Sequence, residues 1–126
     1  MKRLETPVSD LIGKTLTKIS VESEYSLKNK IVFESQDEVY EMYHEQDCCE
    51  VVSIEDIEGD LNDLVGVPIL NAEESTNSGE TDYGSETWTF YKFATINGYV
   101  TIRWYGESNG YYSEAVSFVK LVTDIK

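Results

Sequence analysis

The dipeptide Asn97-Gly98, set between two alternating aromatic segments, constrains this chain more than any other feature. Two-residue type I′ turns need positive φ at both central positions, and Asn-Gly adopts them at little cost. A second such pair, Asn109-Gly110, follows. Together they predict a three-stranded C-terminal meander over residues 88–96, 99–107 and 111–121. With Asn97-Gly98 as the turn, Ile96 pairs with Tyr99, Phe93 faces Ile102, Lys92 faces Arg103, Tyr91 faces Trp104 and Phe90 faces Tyr105. Side chains alternate along a strand. One face therefore carries Tyr91, Phe93, Val100, Ile102 and Trp104, a core set. The other carries Trp88, Phe90, Lys92, Tyr99, Thr101, Arg103 and Tyr105.

Arg103 stands out on that second face. Apart from Arg3, in an N-terminus expected to fray, it is the only arginine in a chain of net charge −14. Two cations opposed on paired strands repel, so something negative belongs between Lys92 and Arg103. Pairing Ser108 with Tyr111 brings Glu114 opposite Tyr105, and an Arg103–Glu114 ion pair is the ordinary explanation. The alternative is a ligand phosphate held by Lys92 and Arg103, with a base or sugar against Phe90, Tyr105 or Trp88.

The remainder of the chain reads as short elements. Residues 6–13 suggest a loop and a helical turn stopped by Gly13, and residues 14–21 a half-buried strand. A turn at 26–30 leads to strands at 31–33 and 39–44, followed by a short β-rich run at 51–54. Residues 58–66 read as a short helix ending at Gly66, and 68–72 as extended. Residues 73–86 form a polar loop long enough to act as a flap. The expected fold is α+β: a mainly antiparallel β-sheet with one or two short helices, in a single domain spanning residues 1–126.

Charge narrows the function classes. No lysine or arginine lies between Lys30 and Lys92, yet 17 of the 24 acidic residues do. Such a stretch repels nucleic-acid backbones, which argues against direct nucleic-acid binding. It could instead imitate nucleic acid in the basic groove of a partner protein. The chain has no apolar stretch of membrane-spanning length and no signal-peptide run, so a cytoplasmic location is expected. The two cysteines are adjacent, Cys48-Cys49, and bridge geometry asks for better-separated α-carbons, so reduced, partly buried thiols are expected. The stretch from Tyr43 to Glu50 includes His44, but it lacks the spacing of a zinc site, and its acids would raise a thiol pKa. No phosphate-cradling glycine motif or nucleophile elbow occurs. These readings point to a protein that is not an enzyme and uses no cofactor or metal.

Several long motifs carry a resemblance. They are residues 42–50 (Met42 to Glu50), 54–61 (Ile54 to Leu61), 68–74 (Pro68 to Glu74), 87–92 (Thr87 to Lys92) and 101–114 (Thr101 to Glu114). Over roughly residues 38–118 the chain resembles a small protein family of phages and prophages. It also resembles the first family of Thoeris anti-defence proteins, non-enzymatic sponges that sequester cyclic ADP-ribose isomers and, in some members, cyclic oligonucleotides. The resemblance implies a small-molecule nucleotide ligand. It also implies a homo-oligomer with pockets partly between subunits, and contacts from arginine and aromatic side chains. Here Arg103, Phe90, Trp88, Tyr105 and the Asn109 turn could supply them, with Lys92 beside. Apolar residues on both sides of the last strand (Val116 and Phe118 against Val119) also suggest an oligomer.

Overall fold

Apolar and polar side chains alternate through most of the chain, and the result is strands. The structure, a computed structural model, describes residues 2–24 and 28–123. In chain order the strands are β1 (Lys2–Glu5), β2 (Leu16–Glu24), β3 (Lys28–Ser35), β4 (Val39–Tyr43), β5 (Val51–Glu58), β6 (Asn71–Thr81), β7 (Gly84–Thr95), β8 (Gly98–Ser108) and β9 (Ser117–Val122). They form a five-stranded sheet of order β1-β9-β4-β3-β2 and a four-stranded sheet of order β5-β8-β7-β6. Every pairing between these strands is antiparallel, and an isolated bridge between Leu16 and Val65 is parallel.

The two sheets bury their inner faces against each other. Phe33 of the five-stranded sheet meets Phe93 of the four-stranded one at 5.7 Å between ring centroids. The buried Trp104 indole donates to Met42 Sδ at 3.3 Å. Tyr91, Phe93, Val100, Ile102 and Trp104 are all buried in this core, as the alternation predicts.

The mainly antiparallel expectation holds, but among the described residues there is no α-helix. The two segments read as helical are single 3-10 turns, Val8–Leu11 and Leu61–Leu64. Each spans only four residues, too few to repay helix nucleation. They act as plugs, burying Val8 and Leu11 in one case and Leu64 in the other.

Four further expectations are corrected. Residues 73–86 are not a loop: most of the stretch is β6, joined to β7 by the two residues Asp82 and Tyr83. The N-terminus is not frayed over Lys2–Glu5, which pairs with β9 and places Arg3 opposite Leu121. The β7–β8 register is offset by two residues from expectation, because the turn is Ile96-Asn97 and Thr95 pairs with Gly98. Finally, the segment after Asn109-Gly110 does not return beside β8. It crosses to the other sheet as β9, between β1 and β4, and the three-stranded meander is β6-β7-β8 instead. Of the turn expected at 26–30, residues 26 and 27 lie outside the described residues, and Lys28 already belongs to β3.

Phe118 and Val119, on opposite sides of β9, are both covered within the chain, while Val116 just before the strand is half-buried. Phe118 packs in the core against Tyr40 and Phe33, and Val119 is buried on the opposite face, in register with Glu41 and Glu5. Their two-sided pattern reflects a central strand rather than an open surface.

Candidate functional site

The outer face of the four-stranded sheet gathers most of the residues singled out by sequence. Reading across strands, one row is Asp56, Arg103, Phe90 and Ser75; the next is Ser53, Tyr105, Trp88 and Asn77; on the other side lie Glu58, Thr101, Lys92 and Glu73. Because the register slips by two residues, a whole period of the pleat, every side chain keeps its expected face. Cross-strand neighbours change. Lys92 lies between Thr101 and Glu73 rather than opposite Arg103, and Arg103 pairs with Phe90.

Trp88 and Tyr105 form the centre of this face, their rings 5.2 Å apart and tilted by 51°. Both are half-buried, as are Phe90 and Arg103, while Lys92 is exposed. The Tyr105 hydroxyl donates to Glu86 Oε1 at 2.8 Å. Burial, then Glu86 and Glu107, raises its pKa well above the usual phenol value.

Arg103 is ion-paired, though not with Glu114. Its Nε donates to Glu55 Oε1 at 2.6 Å, and Nη2 lies 3.8 Å from Asp56 Oδ2. A bulge in β5 between Ile54 and Asp56 explains the double contact, since two successive residues there face one step of β8. The hydrogen bond to Glu55 raises the guanidinium pKa further. Asn109 does not join this group. It lies past the end of β8, where its Oδ1 accepts the Tyr111 N–H at 2.9 Å. There it lines a separate cavity of about 480 Å³ with Cys49, Val51, Asp82, Tyr83 and Tyr112.

Glu114 has another role on the inner side of the same sheet. It is buried and accepts hydrogen bonds from the hydroxyls of Ser85, Thr87 and Ser108. Burial alone would raise its pKa, but the three donors hold it below the usual carboxylate value. The carboxylate thus ties the crossover segment to both β7 and β8.

The His44 region is a second polar centre. His44 Nδ1 lies 2.6 Å from the Ala115 carbonyl and Nε2 lies 2.7 Å from Glu50 Oε2. Both neighbours offer acceptor oxygens, so a ring nitrogen that carries a proton donates to the oxygen it faces. Glu50 is buried and also accepts the Asp47 and Cys48 backbone N–H groups. Burial pushes its pKa up, but the Cys48 N–H, His44 and the Asp47 N–H outweigh that and hold it at about 2. Cys48 and Cys49, expected as reduced and partly buried, are exposed and joined by a vicinal disulfide within the turn that Glu50 organises.

Arg3, set aside by the sequence reading, helps line a cavity of about 270 Å³ with Glu22, Asn29, Lys30, Tyr43, His44, Glu45 and Gln46. Its guanidinium sits 5.1 Å from the Tyr43 ring centroid and 3.2 Å from Glu41 Oε1. Lys30 reaches the other Glu41 oxygen at 3.3 Å. Glu41, nearly buried, thus engages both cations.

A family model described as a domain of unknown function (DUF7448) matches residues 9–118. The chain belongs to the DUF7448 family. No curated protein and no solved structure matches it. The DUF7448 span contains the whole aromatic face, the Glu50 centre and Glu114, whereas Arg3 lies outside it. Sequence reasoning missed Glu55 and Asp56 as partners of Arg103 in this DUF7448 chain, because a bulge has no composition signal here. It missed the Glu114 clamp because the assumed hairpin put Glu114 on the other face. No helix among the described residues is long and apolar enough to cross a membrane.

Proposed function

We propose that this is a non-catalytic binding protein that captures a nucleotide-class signal, of the cyclic ADP-ribose type, on the outer face of its four-stranded sheet. The observation that carries this reading is the ring pair of Trp88 and Tyr105, with Phe90 and Arg103 in the adjoining row. Flat bases stack on such rings, and a guanidinium binds phosphate oxygens through charge-assisted hydrogen bonds. Glu55 engages one nitrogen of the Arg103 fork, and a phosphate would compete for the others. The other polar centre does not favour chemistry: both His44 ring nitrogens are engaged and the two sulfurs are bonded to each other.

Isothermal titration with cyclic ADP-ribose isomers tests the reading. Binding is expected for the wild type, with at least a tenfold loss in Arg103→Ala and in Phe90→Ala, about 1.4 kcal/mol or more. A wild type that takes up none of these isomers overturns it.

A specific observation favours a second reading. Glu55, Asp56, Glu58, Glu73, Glu86 and Glu107 surround the rings, and each cation on the face has a carboxylate beside it. Aromatic residues within an acidic rim suit a basic protein partner. That complex would weaken steeply with salt, tolerate Arg103→Ala and fail on charge reversal of Glu73 and Glu86.

A further inference from the structure

Four strands end the two sheets: β1 and β2 in one, β5 and β6 in the other. An edge strand offers unpaired N–H and C=O groups to any other chain, and proteins usually blunt it with shortness, a bulge or charge. Three of the four edges are short or bulged. β1 has only four residues. β2 has a register shift between Leu16 and Lys18, and Lys18 lies on it. β5 has the shift between Ile54 and Asp56, with Glu55, Asp56 and Glu58 along it.

β6 has neither the shortness nor the bulge. It runs for 11 residues, from Asn71 to Thr81, and pairs with β7 throughout without a register shift. It contains no proline and no lysine, and nearly all of it is exposed. Its glutamates, Glu73, Glu74 and Glu80, flank an uncharged centre of Ser75, Thr76, Asn77, Ser78 and Gly79.

We propose that β6 is a self-association edge. Two copies of the chain pair their β6 strands antiparallel about a two-fold axis at Thr76, and the two four-stranded sheets become one continuous sheet. Thr76 is the midpoint of the strand, so this register pairs all 11 residues of each copy. It sets Glu73 against Gly79, Glu74 against Ser78 and Ala72 against Glu80, and no glutamate faces another. Sliding the register by two residues toward the C-terminus sets Glu74 against Glu80 twice, a like-charge pairing that costs stability. The two-residue turn at Asp82-Tyr83 makes Thr81 and Gly84 a hydrogen-bonded pair. Alternation then turns the N–H and C=O of Thr76 outward, toward the partner copy. The inference goes beyond the proposed ligand and does not depend on it. In the paired form the β7 strands of the two copies lie three strand spacings apart, ~14 Å, so both aromatic rows share one surface.

Sedimentation velocity on the full chain, across a dilution series, tests the pairing. The wild type is expected to be a dimer, and the Thr76→Lys variant, which sets two ammonium groups against each other at the axis, a monomer with an unchanged circular dichroism spectrum. The Thr76→Cys variant is expected to form a covalent dimer on mild oxidation, because opposed strand residues lie within disulfide range; peptide mapping would show residue 76 joined to residue 76. The cysteine result decides alone if the lysine variant fails to fold. A wild type that stays monomeric, a dimer that persists in folded Thr76→Lys, or no linkage between the two residues 76 overturns the proposal.

Discussion

Glu114 shows how one residue decides the path of the chain. The segment after Ser108 could have continued as a third hairpin strand. Instead, three hydroxyls from β7 and β8 converge on the Glu114 carboxylate, with Thr87 Oγ1 at 2.7 Å. Gly106 makes room for it, since a Cβ there would lie 3.0 Å from the Glu114 Cβ. Replacing Glu114 with alanine strands three donors on a half-buried face. We expect a loss of about 2–3 kcal/mol, measured by urea unfolding, with the fold retained.

Tyr91 provides a contrasting case. Its hydroxyl is buried, and among the described residues it has no partner at hydrogen-bond geometry. Burial, together with the nearby Glu74 carboxylate, raises its pKa far above the usual phenol value. Removing an unsatisfied buried hydroxyl relieves a desolvation cost. Tyr91→Phe should therefore be neutral or stabilising by up to about 1 kcal/mol in the same unfolding measurement.

Two carboxylates dominate the acid behaviour. Lys120 and Lys14 hold Glu38 at about 2 through hydrogen bonds, and Glu50 is held at about 2 as described, both down from 4.5. A carboxylate whose pKa is lower in the folded state stabilises the fold above its unfolded value. That contribution fades as pH falls from 4.5 toward 2. Stability should drop steeply across this window, and Glu50→Gln should show a shallower drop from a lower starting point. An unchanged slope in the variant would remove Glu50 from this account.

At the scale of elements, alternation proved more informative than turn chemistry. The faces of β7 and β8 were legible because aromatic and β-branched residues repeat every second position, and a two-residue offset preserves that parity. The exact turn was not legible. Thr95 Oγ1 donates to the Asp63 carbonyl at 2.6 Å and accepts the Asn97 N–H at 3.1 Å. A contact 32 residues away in sequence thus anchors the residue before the turn, and local preference could not reveal it. β6 was unreadable for another reason: Glu73 to Gly79 lacks apolar alternation, because its partner β7 supplies the ladder and little of β6 enters the core.

One element contact is testable by a single methyl group. Gly84 opens β7 directly beneath the Asn109 turn, where a Cβ would collide with the Ser108 carbonyl oxygen and lie 2.7 Å from the Asn109 Cα. Backbone on both sides cannot give way as a flexible side chain would. Gly84→Ala should cost about 1–3 kcal/mol through this overpacking and loosen the 108–113 segment, seen as faster amide exchange there.

For the whole molecule, the balance of charge sets the response to salt. The chain carries 24 acidic against 10 basic residues, and compaction brings the surplus acids together. The partly buried pairs of Glu38 and Glu41 with their cations are screened less than exposed repulsions. Raising ionic strength from ~0.01 M to ~0.15 M shortens the screening length from about 30 Å to about 8 Å. It removes more repulsion than attraction, so the folded state gains. The midpoint of thermal unfolding should rise by several degrees, about what 1 kcal/mol produces in a domain of this size. The comparison belongs at neutral pH in sodium chloride, with Glu41→Gln beside the wild type to separate local pairing from net charge. A midpoint that falls with salt would mean that the ion pairs outweigh the surplus acids.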